Sequence, residues 1–193
     1  MSGASDERPT RLFVAVEVPE PVRSALDTAV EPWRARVPRA RWTSPGSWHV
    51  TLTFLGWTPP DRRSVVEDGV AQTAREWDGF ETRLTALGAF PSAGRARVLW
   101  VGLEDPAERL AGMAAALGER FGPWFEPERR AFTPHLTLAR IDPPANLATS
   151  APGLLDLPVR SAPFRADELV LYRSHLSPRG ARYEALLRAS LRA

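Results

Sequence analysis

Apolar and polar positions alternate in short runs, and stripes of helical spacing lie between them. Arg11 to Val18 reads as an apolar strand closed by Pro19. From Pro19 to Val37 the period lengthens: Val22, Leu26, Ala29, Val30 and Trp33 recur at helical spacing, and Pro32 either kinks that helix or ends it early. A short strand is expected at Arg41 to Thr43, then a turn at Ser44-Pro45-Gly46. Trp48 to Leu55 is a strongly alternating strand, stopped by Gly56 and Pro59-Pro60. Asp61 to Trp77 carries a second helical stripe of Val65, Val66, Val70, Ala74 and Trp77.

The second half repeats this grammar. Gly79 to Phe90 and Ala96 to Leu103 form a strand pair across Pro91-Ser92-Ala93-Gly94. Asp105 to Phe121 reads as a third helix, with Asp105 placed to cap it and Pro106 in its first turn. Phe132 to Ile141 is another patterned strand. Asp142 to Ala162 is a Pro-rich connection with one helical turn expected near Leu154. Asp167 to Leu176 and Ala181 to Leu191 close the chain as a strand pair across Ser177-Pro178-Arg179-Gly180. Hairpins among helices predict an α+β fold built on antiparallel sheet. Residues 1–9 read as a flexible polar tail, and 10–193 as the folded domain.

Composition narrows the chemistry. All 25 basic residues are Arg, and there is no Lys and no Cys. That excludes a P-loop lysine, a Schiff base, a lysyl-adenylate, thiol catalysis, disulfides and Cys-ligated zinc. A net charge of +2 rules out a polybasic nucleic-acid coat, although local Arg patches for phosphate are compatible with it. No segment has the length of a signal peptide's apolar core or a membrane span, so a cytoplasmic protein is expected.

Two tetrapeptides match one another: His49-Val50-Thr51-Leu52 and His135-Leu136-Thr137-Leu138, each inside a predicted strand. Alternation points His49 and Thr51 to one face, about 6.6 Å apart, and places Val50, Leu52 and Phe54 on the other. His135 and Thr137 share a face in the same way, opposite Leu136 and Leu138. A phosphate held between two such strands meets two imidazoles and two hydroxyls. With ordinary values near 6.5, one imidazole can act as base and the other as acid, on opposite sides of an in-line displacement. One His-x-Thr on a strand is commonplace, and Thr favours strands anyway. Two of the protein's three His heading matching tetrapeptides is far more specific. Zinc is the weaker reading, with three His, no Cys and no His-Glu-x-x-His. The spacing does not order the two roles.

Around these motifs, the segments Arg11-Leu12-Phe13-Val14-Ala15-Val16, Arg41-Trp42, His49 to Gly56, Val98-Leu99-Trp100-Val101-Gly102, Pro134 to Arg140 and Leu171-Tyr172-Arg173-Ser174 occur in that order. Together they resemble the 2H phosphoesterase superfamily, and within it the RNA 2',3'-cyclic phosphodiesterases, also called 2'-5' RNA ligases. The match runs from about Arg11 to the C-terminus. The resemblance implies a bilobal, pseudo-two-fold duplicated fold, with two antiparallel sheets flanked by helices and a central cleft. It implies that His49 protonates the leaving 3' oxygen and His135 deprotonates the attacking water. Thr51 and Thr137 then hold phosphate, and the product is an RNA 2'-phosphate.

Arg140, where the family usually carries Arg, is a further candidate for substrate contact. Strict alternation places it opposite His135 unless a bulge redirects it. Phe13 reads as core, with a nucleobase platform as the alternative. His175 reads as a surface residue near a hairpin, and Arg129-Arg130 as a solvated turn. The resulting expectation is a monomeric enzyme without metal or cofactor, acting on RNA with 2',3'-cyclic phosphate ends or on small cyclic nucleotides. Reversible 2'-5' ligation at the same site and a non-catalytic RNA-end binding module are the rivals.

Overall fold

Proline placement sets where the first helix begins and ends. The computed structural model describes residues 8–37, 39–125, 131–177 and 180–193. Strand β1 (Thr10–Glu17) runs into Pro19, and helix α1 (Glu20–Val30) follows with Pro21 in its first turn. The helix does not reach Val37. Pro32 has no N–H to give and its ring crowds the preceding turn, so the chain tightens into a 3₁₀ turn at Glu31–Trp33. Strand β2 (Ala40–Trp42) leads to β3 (His49–Thr58), then to α2 (Arg63–Glu76).

The expected strand from Gly79 to Phe90 is two pieces, β4 (Phe80–Thr82) and β5 (Leu84–Phe90). The chain turns at Arg83, where Thr82 Oγ1 donates to Glu104 O at 2.7 Å. Strand β6 (Ala96–Leu103) and helix α3 (Arg109–Phe121) follow. Asp105 caps α3 across an intervening 3₁₀ turn at Pro106–Glu108. Its carboxylate accepts from Leu110 N at 2.6 Å and Ala111 N at 3.0 Å.

Strand β7 (His135–Ala145) continues through Pro143-Pro144, which the sequence pattern assigns to the connection. The helical turn of that connection is α4 (Leu147–Ser150), earlier than Leu154, because Asn146 caps it through Ala148 N. Strands β8 (Phe164–Ala166), β9 (Glu168–Ser177) and β10 (Gly180–Ser190) complete the chain. Most of the expected tail, residues 1–7, lies outside the described residues, as do Arg129-Arg130 and Pro178-Arg179.

The main sheet is antiparallel, in the order β10-β9-β1-β3-β7-β6-β5, with β2 beside β7; β4 and β8 form a second, two-stranded sheet. The order has an approximate two-fold: β1-α1-β3 in one half answers β6-α3-β7 in the other. The halves meet where Val50 of β3 pairs with Leu136 of β7. Val22 and Leu26 of α1, Val66 and Val70 of α2, and Leu110, Met113 and Leu117 of α3 pack on one side of this sheet. They cover Leu12, Val14, Val16, Val50, Leu99, Val101 and Leu136, all essentially without exposure. Burial at this depth fixes which way β3 and β7 face. The site residues stand on the other side.

Replacing Asp105 by Ala removes the carboxylate that accepts from the first N–H groups of α3. It should cost about 1 kcal/mol and lower the thermal midpoint by about 2–4 °C. Thermal unfolding of the variant checks this.

Candidate active site between the two halves

Strands β3 and β7 each break their alternation at equivalent places. Val14 pairs with Thr53 and Ala15 with Thr51, so Leu52 is an extra residue in β3. Leu99 pairs with Ala139 and Trp100 with Thr137, so Leu138 is an extra residue in β7. Each bulge falls on the Leu that ends the tetrapeptide. Before it, His49 and Thr51, or His135 and Thr137, share the site face, while Val50 and Leu136 enter the core. After it, the phase flips.

The bulges settle the placement of Arg140 and change that of Phe54. Arg140 stands on the same face as His135, not opposite it, and its charge acts on both His135 and Tyr183. Phe54 leaves the core face and lies beside Phe13 on the site face, 55% exposed, with the ring centroids 5.9 Å apart. Leu55 takes its place in the core. Gly56, expected to stop the strand, sits at φ +68 next to a second bulge, and β3 continues past it to Thr58.

The Val50–Leu136 pairing brings the motifs together. Antiparallel register carried one residue either way places His49 opposite Thr137 and Thr51 opposite His135. The two imidazoles are then diagonal neighbours with Cβ atoms about 7–8 Å apart. The charge of His135 is felt at His49 across that gap. Thr43 ties the arrangement from below. Its Oγ1 donates to Thr137 O at 2.9 Å and Leu138 O at 2.8 Å, and accepts from Trp48 Nε1 at 2.8 Å. One hydroxyl thus links the bulge of β7 to the residue preceding His49.

Both histidines are held by the same local device. His49 Nδ1 lies 2.7 Å from Ser47 O, and His135 Nδ1 lies 2.7 Å from Thr133 O. A carbonyl only accepts, so each Nδ1 carries its proton and each Nε2 is left for chemistry. Aromatic rings wall both sites. His49 sits 4.8 Å from Phe13 and edge-on to Tyr183 at 5.0 Å; His135 sits edge-on to Phe90 at 5.1 Å and 6.1 Å from Trp100. Trp100 lies flat over Gly88, where a Cβ would come within 2.2 Å of the indole. Phe13 is 2% exposed and supports His49 from beneath, which is the core reading and leaves no face for a base.

Burial pushes both imidazoles below their ordinary value, His49 to about 4. The neighbouring charges differ. Glu17, cross-strand from His49, favours its protonated form, whereas Arg140 disfavours protonation of His135. At the matching position beside His135 stands Gly102, with no charge. Arg188, followed by Tyr172, holds the Glu17 carboxyl below its ordinary value; Arg188 Nη1 and Nη2 approach at 3.0 and 2.8 Å, and the Tyr172 hydroxyl donates to it. An open groove of about 410 Å³ borders His49, lined by Glu17, Ser47, Tyr172, Tyr183, Arg182 and Arg188 among others. His175 lies away from the motifs and pairs with Glu184 at 2.7 Å. Among the described residues, no three His, Asp or Glu side chains are grouped to hold a metal ion.

Sequence reasoning does not single out Glu17, Thr43, Phe90, Trp100, Tyr172 or Tyr183 as parts of a site. The available signal is weak: repeated aromatics on strands neighbouring each motif, which equally describe a core.

Comparison with known proteins gives the family. The model of the 2'-5' RNA ligase superfamily matches residues 18–178. The chain belongs to this family, which is part of the 2H phosphoesterases. It is 36% identical to the RNA 2',3'-cyclic phosphodiesterase of Thermus thermophilus, over 94% of this chain and 90% of that one. It is 30% identical to the enzyme of the same name from Methanothermobacter thermautotrophicus, over 90% and 94%. Among solved structures, E. coli LigT complexed with 3'-AMP superposes with a TM-score of 0.76 at 27% identity, covering 95% of this chain and 98% of that one. Protein TT0787 of Thermus thermophilus gives 0.75 at 31% identity, covering 94% and 98%. No helix among the described residues is long and apolar enough to cross a membrane.

Two consequences are measurable. Thr43→Val should cost about 1–3 kcal/mol, because it removes the hydroxyl that serves Thr137 O and the Trp48 indole, while Leu138 O keeps the Thr43 N–H; Thr43→Ser should recover most of it in denaturant unfolding. For His49, the folded value lies below the unfolded value near 6.5, so the unfolded chain binds more protons between them. The stability it contributes is full above pH 6.5 and is lost as pH falls toward 4, by about 3 kcal/mol. Denaturant midpoints measured across that window should fall less steeply for His49→Gln than for the wild type.

Proposed function

We propose that the protein hydrolyses RNA 2',3'-cyclic phosphate ends to 2'-phosphomonoesters, with His49 as general acid and His135 as general base. The observation that carries the reading is the diagonal pair of imidazoles, each with its proton fixed on Nδ1 and its Nε2 free, brought side by side on one face of the sheet by the Val50–Leu136 pairing. The names of the relatives support the substrate class.

In this reading the cyclic phosphate lies between the strands, and Thr51 and Thr137 donate to its non-bridging oxygens. Arg140, turned inward by the Leu138 bulge, adds charge-assisted hydrogen bonds. Water on the His135 side loses a proton to Nε2 as its oxygen bonds to phosphorus. The P–O3' bond breaks on the far side, and Nε2–H of His49 protonates the leaving O3'. Each imidazole ends in the other's starting state, and proton exchange with solvent resets the pair. The charge asymmetry supports this ordering: Glu17 favours imidazolium at His49, and Arg140 favours neutral imidazole at His135. No step uses a metal ion, and the active unit proposed is the monomer. Ligation is the same chemistry run backwards with an RNA hydroxyl in place of water, and water's concentration favours hydrolysis.

Burial keeps His49 neutral in the free protein near pH 7, so the anionic substrate, on binding, must raise the proton affinity of His49 and draw a proton onto it from solvent. The bell-shaped profile of kcat/KM, which reports the free enzyme, should therefore peak below about pH 6.5, and that of kcat should lie at higher pH. His49→Ala and His135→Ala should each lower kcat by about 10²–10⁴-fold, with activity unchanged in excess EDTA. Phosphorus NMR of a 2',3'-cyclic nucleotide with each protein checks all three. Folded variants that retain wild-type rates would overturn the assignment, as would a strict requirement for divalent metal. Binding without turnover by the wild type would favour the RNA-end binding module.

A further inference from the structure

The bulges of β3 have a second effect. Counted against the partner strand, His49, Thr51, Phe54 and Trp57 stand opposite Glu17, Ala15, Phe13 and Arg11, two residues apart at each step on β1. Without the extra residues Leu52 and Leu55, no single face would hold all four. With them, His49, Thr51, Phe54 and Trp57 form one straight row on the site face. Each step is about 6.6 Å, so Trp57 lies about 20 Å from His49 along the strand, farther than one nucleotide extends.

The far end of this row is unlike an ordinary surface. Phe54 and Trp57 are 55% and 67% exposed, two of the largest exposed apolar side chains among the described residues. Arg11 stands directly across from Trp57, and its charge is felt at Tyr183, as is that of Arg140. At the opposite end of the row, beyond His49, Arg41 on β2 is paired opposite Arg140. Like charges in register are unfavourable unless an anion joins them. Among the described residues, Arg11, Arg41 and Arg140 form no ion pair. Exposed rings beside one unneutralised guanidinium group, with two more at the other end of the row, are the chemistry of a single-stranded nucleic-acid track, where rings stack on bases and cations follow the backbone.

We propose that this row binds the RNA strand upstream of the terminal cyclic phosphate, with Phe54 and Trp57 stacking on successive bases and Arg11 contacting the backbone phosphate. The inference rests on the proposed function for the position of the RNA end, and it makes the substrate an oligonucleotide whose length the protein reads. A base that reaches Trp57 must come from a nucleotide beyond the terminal one, so a mononucleotide leaves the far end of the row empty.

The test compares a 2',3'-cyclic mononucleotide with a trinucleotide carrying the same end, using the wild type, Trp57→Ala and Arg11→Gln. The wild type should have the higher kcat/KM on the trinucleotide. Trp57→Ala should lower that value about tenfold, the smaller end of base–aromatic stacking, while shifting the mononucleotide value much less. Arg11→Gln should reduce the salt slope of trinucleotide binding by about 0.7. Equal losses on both substrates, or none on either, would overturn the proposal. So would a trinucleotide preference that survives Trp57→Ala and falls with Arg182→Gln, which places the strand in the groove beside Tyr183. A dimer that Trp57→Ala converts to monomer would make the patch a contact between copies and also overturn it. If the wild type hydrolyses neither substrate, the failure lies with the proposed function. Equilibrium binding of the 2'-phosphorylated trinucleotide against 2'-monophosphate, in wild type and Trp57→Ala, then reads the track on its own: a selective loss supports it and equal affinities overturn it.

Discussion

The pairing of Val50 with Leu136 is the contact on which the site depends. It is an apolar pair, fully buried beneath the helices, and it carries no chemistry itself. Its value is positional. Because side chains alternate along a strand, burying Val50 and Leu136 forces His49, Thr51, His135 and Thr137 onto the opposite face. Because the strands are antiparallel, the same pair sets each His opposite the other strand's Thr. A slip of one residue would carry every polar group of one motif into the core, at a cost that buried, unpaired imidazole and hydroxyl groups make prohibitive. The hydrophobic core is thus the ruler that measures the distance between the two imidazoles.

The bulges extend that control beyond the tetrapeptides. A regular strand repeats every two residues, so a site on one face could recruit only positions of one parity. One extra Leu in each strand changes the parity, admitting Arg140 on β7 and Phe54 on β3 to the same face. The bulge of β7 is not left to strain: the single Thr43 hydroxyl proton is shared between the carbonyls of Thr137 and Leu138, the Thr43 N–H also donates to Leu138 O, and the hydroxyl accepts from the Trp48 indole. Since Trp48 precedes His49, the bond that stabilises one half's irregularity also anchors the other half's motif.

The elements were legible in the sequence wherever a period or a cap governed them. The stripes of α1, α2 and α3, the capping role of Asp105, and the alternation through both tetrapeptides all follow from local rules. The pairing of the two motifs was legible because matching patterns in matching strands imply equivalent places in a duplicated unit. What failed shares one cause. Phe54 and the reach of β3 past Gly56 were misplaced by strict alternation, and Arg140 was left to depend on a bulge it could not foresee; a bulge is decided by which residues the neighbouring strand presents, a tertiary fact. The end of α1 was open for a related reason, since Pro32 permits either a kink or a stop and packing chooses. Glu17 and Tyr172 escaped notice because 155 residues separate two groups that share a hydrogen bond.

The approximate two-fold explains both the likeness of the imidazoles and the importance of where it fails. A perfectly symmetric pair would give each His the same proton affinity and leave the choice of acid and base to chance at every turnover. Here the backbone devices are alike: the same carbonyl two residues back, the same bulge, the same edge-on ring. The charges are not. β1 offers Glu17 beside His49 where β6 offers Gly102 beside His135, and after the bulge β7 offers Arg140 where β3 offers Phe54. Both differences push the same way, raising the proton affinity of His49 and lowering that of His135. Burial lowers both, His49 the more strongly, and in the free protein it outweighs these two charges. In the proposed reading, two strands of one design take opposite halves of one proton transfer, and the charges of their neighbours, rather than their motifs, tell them apart.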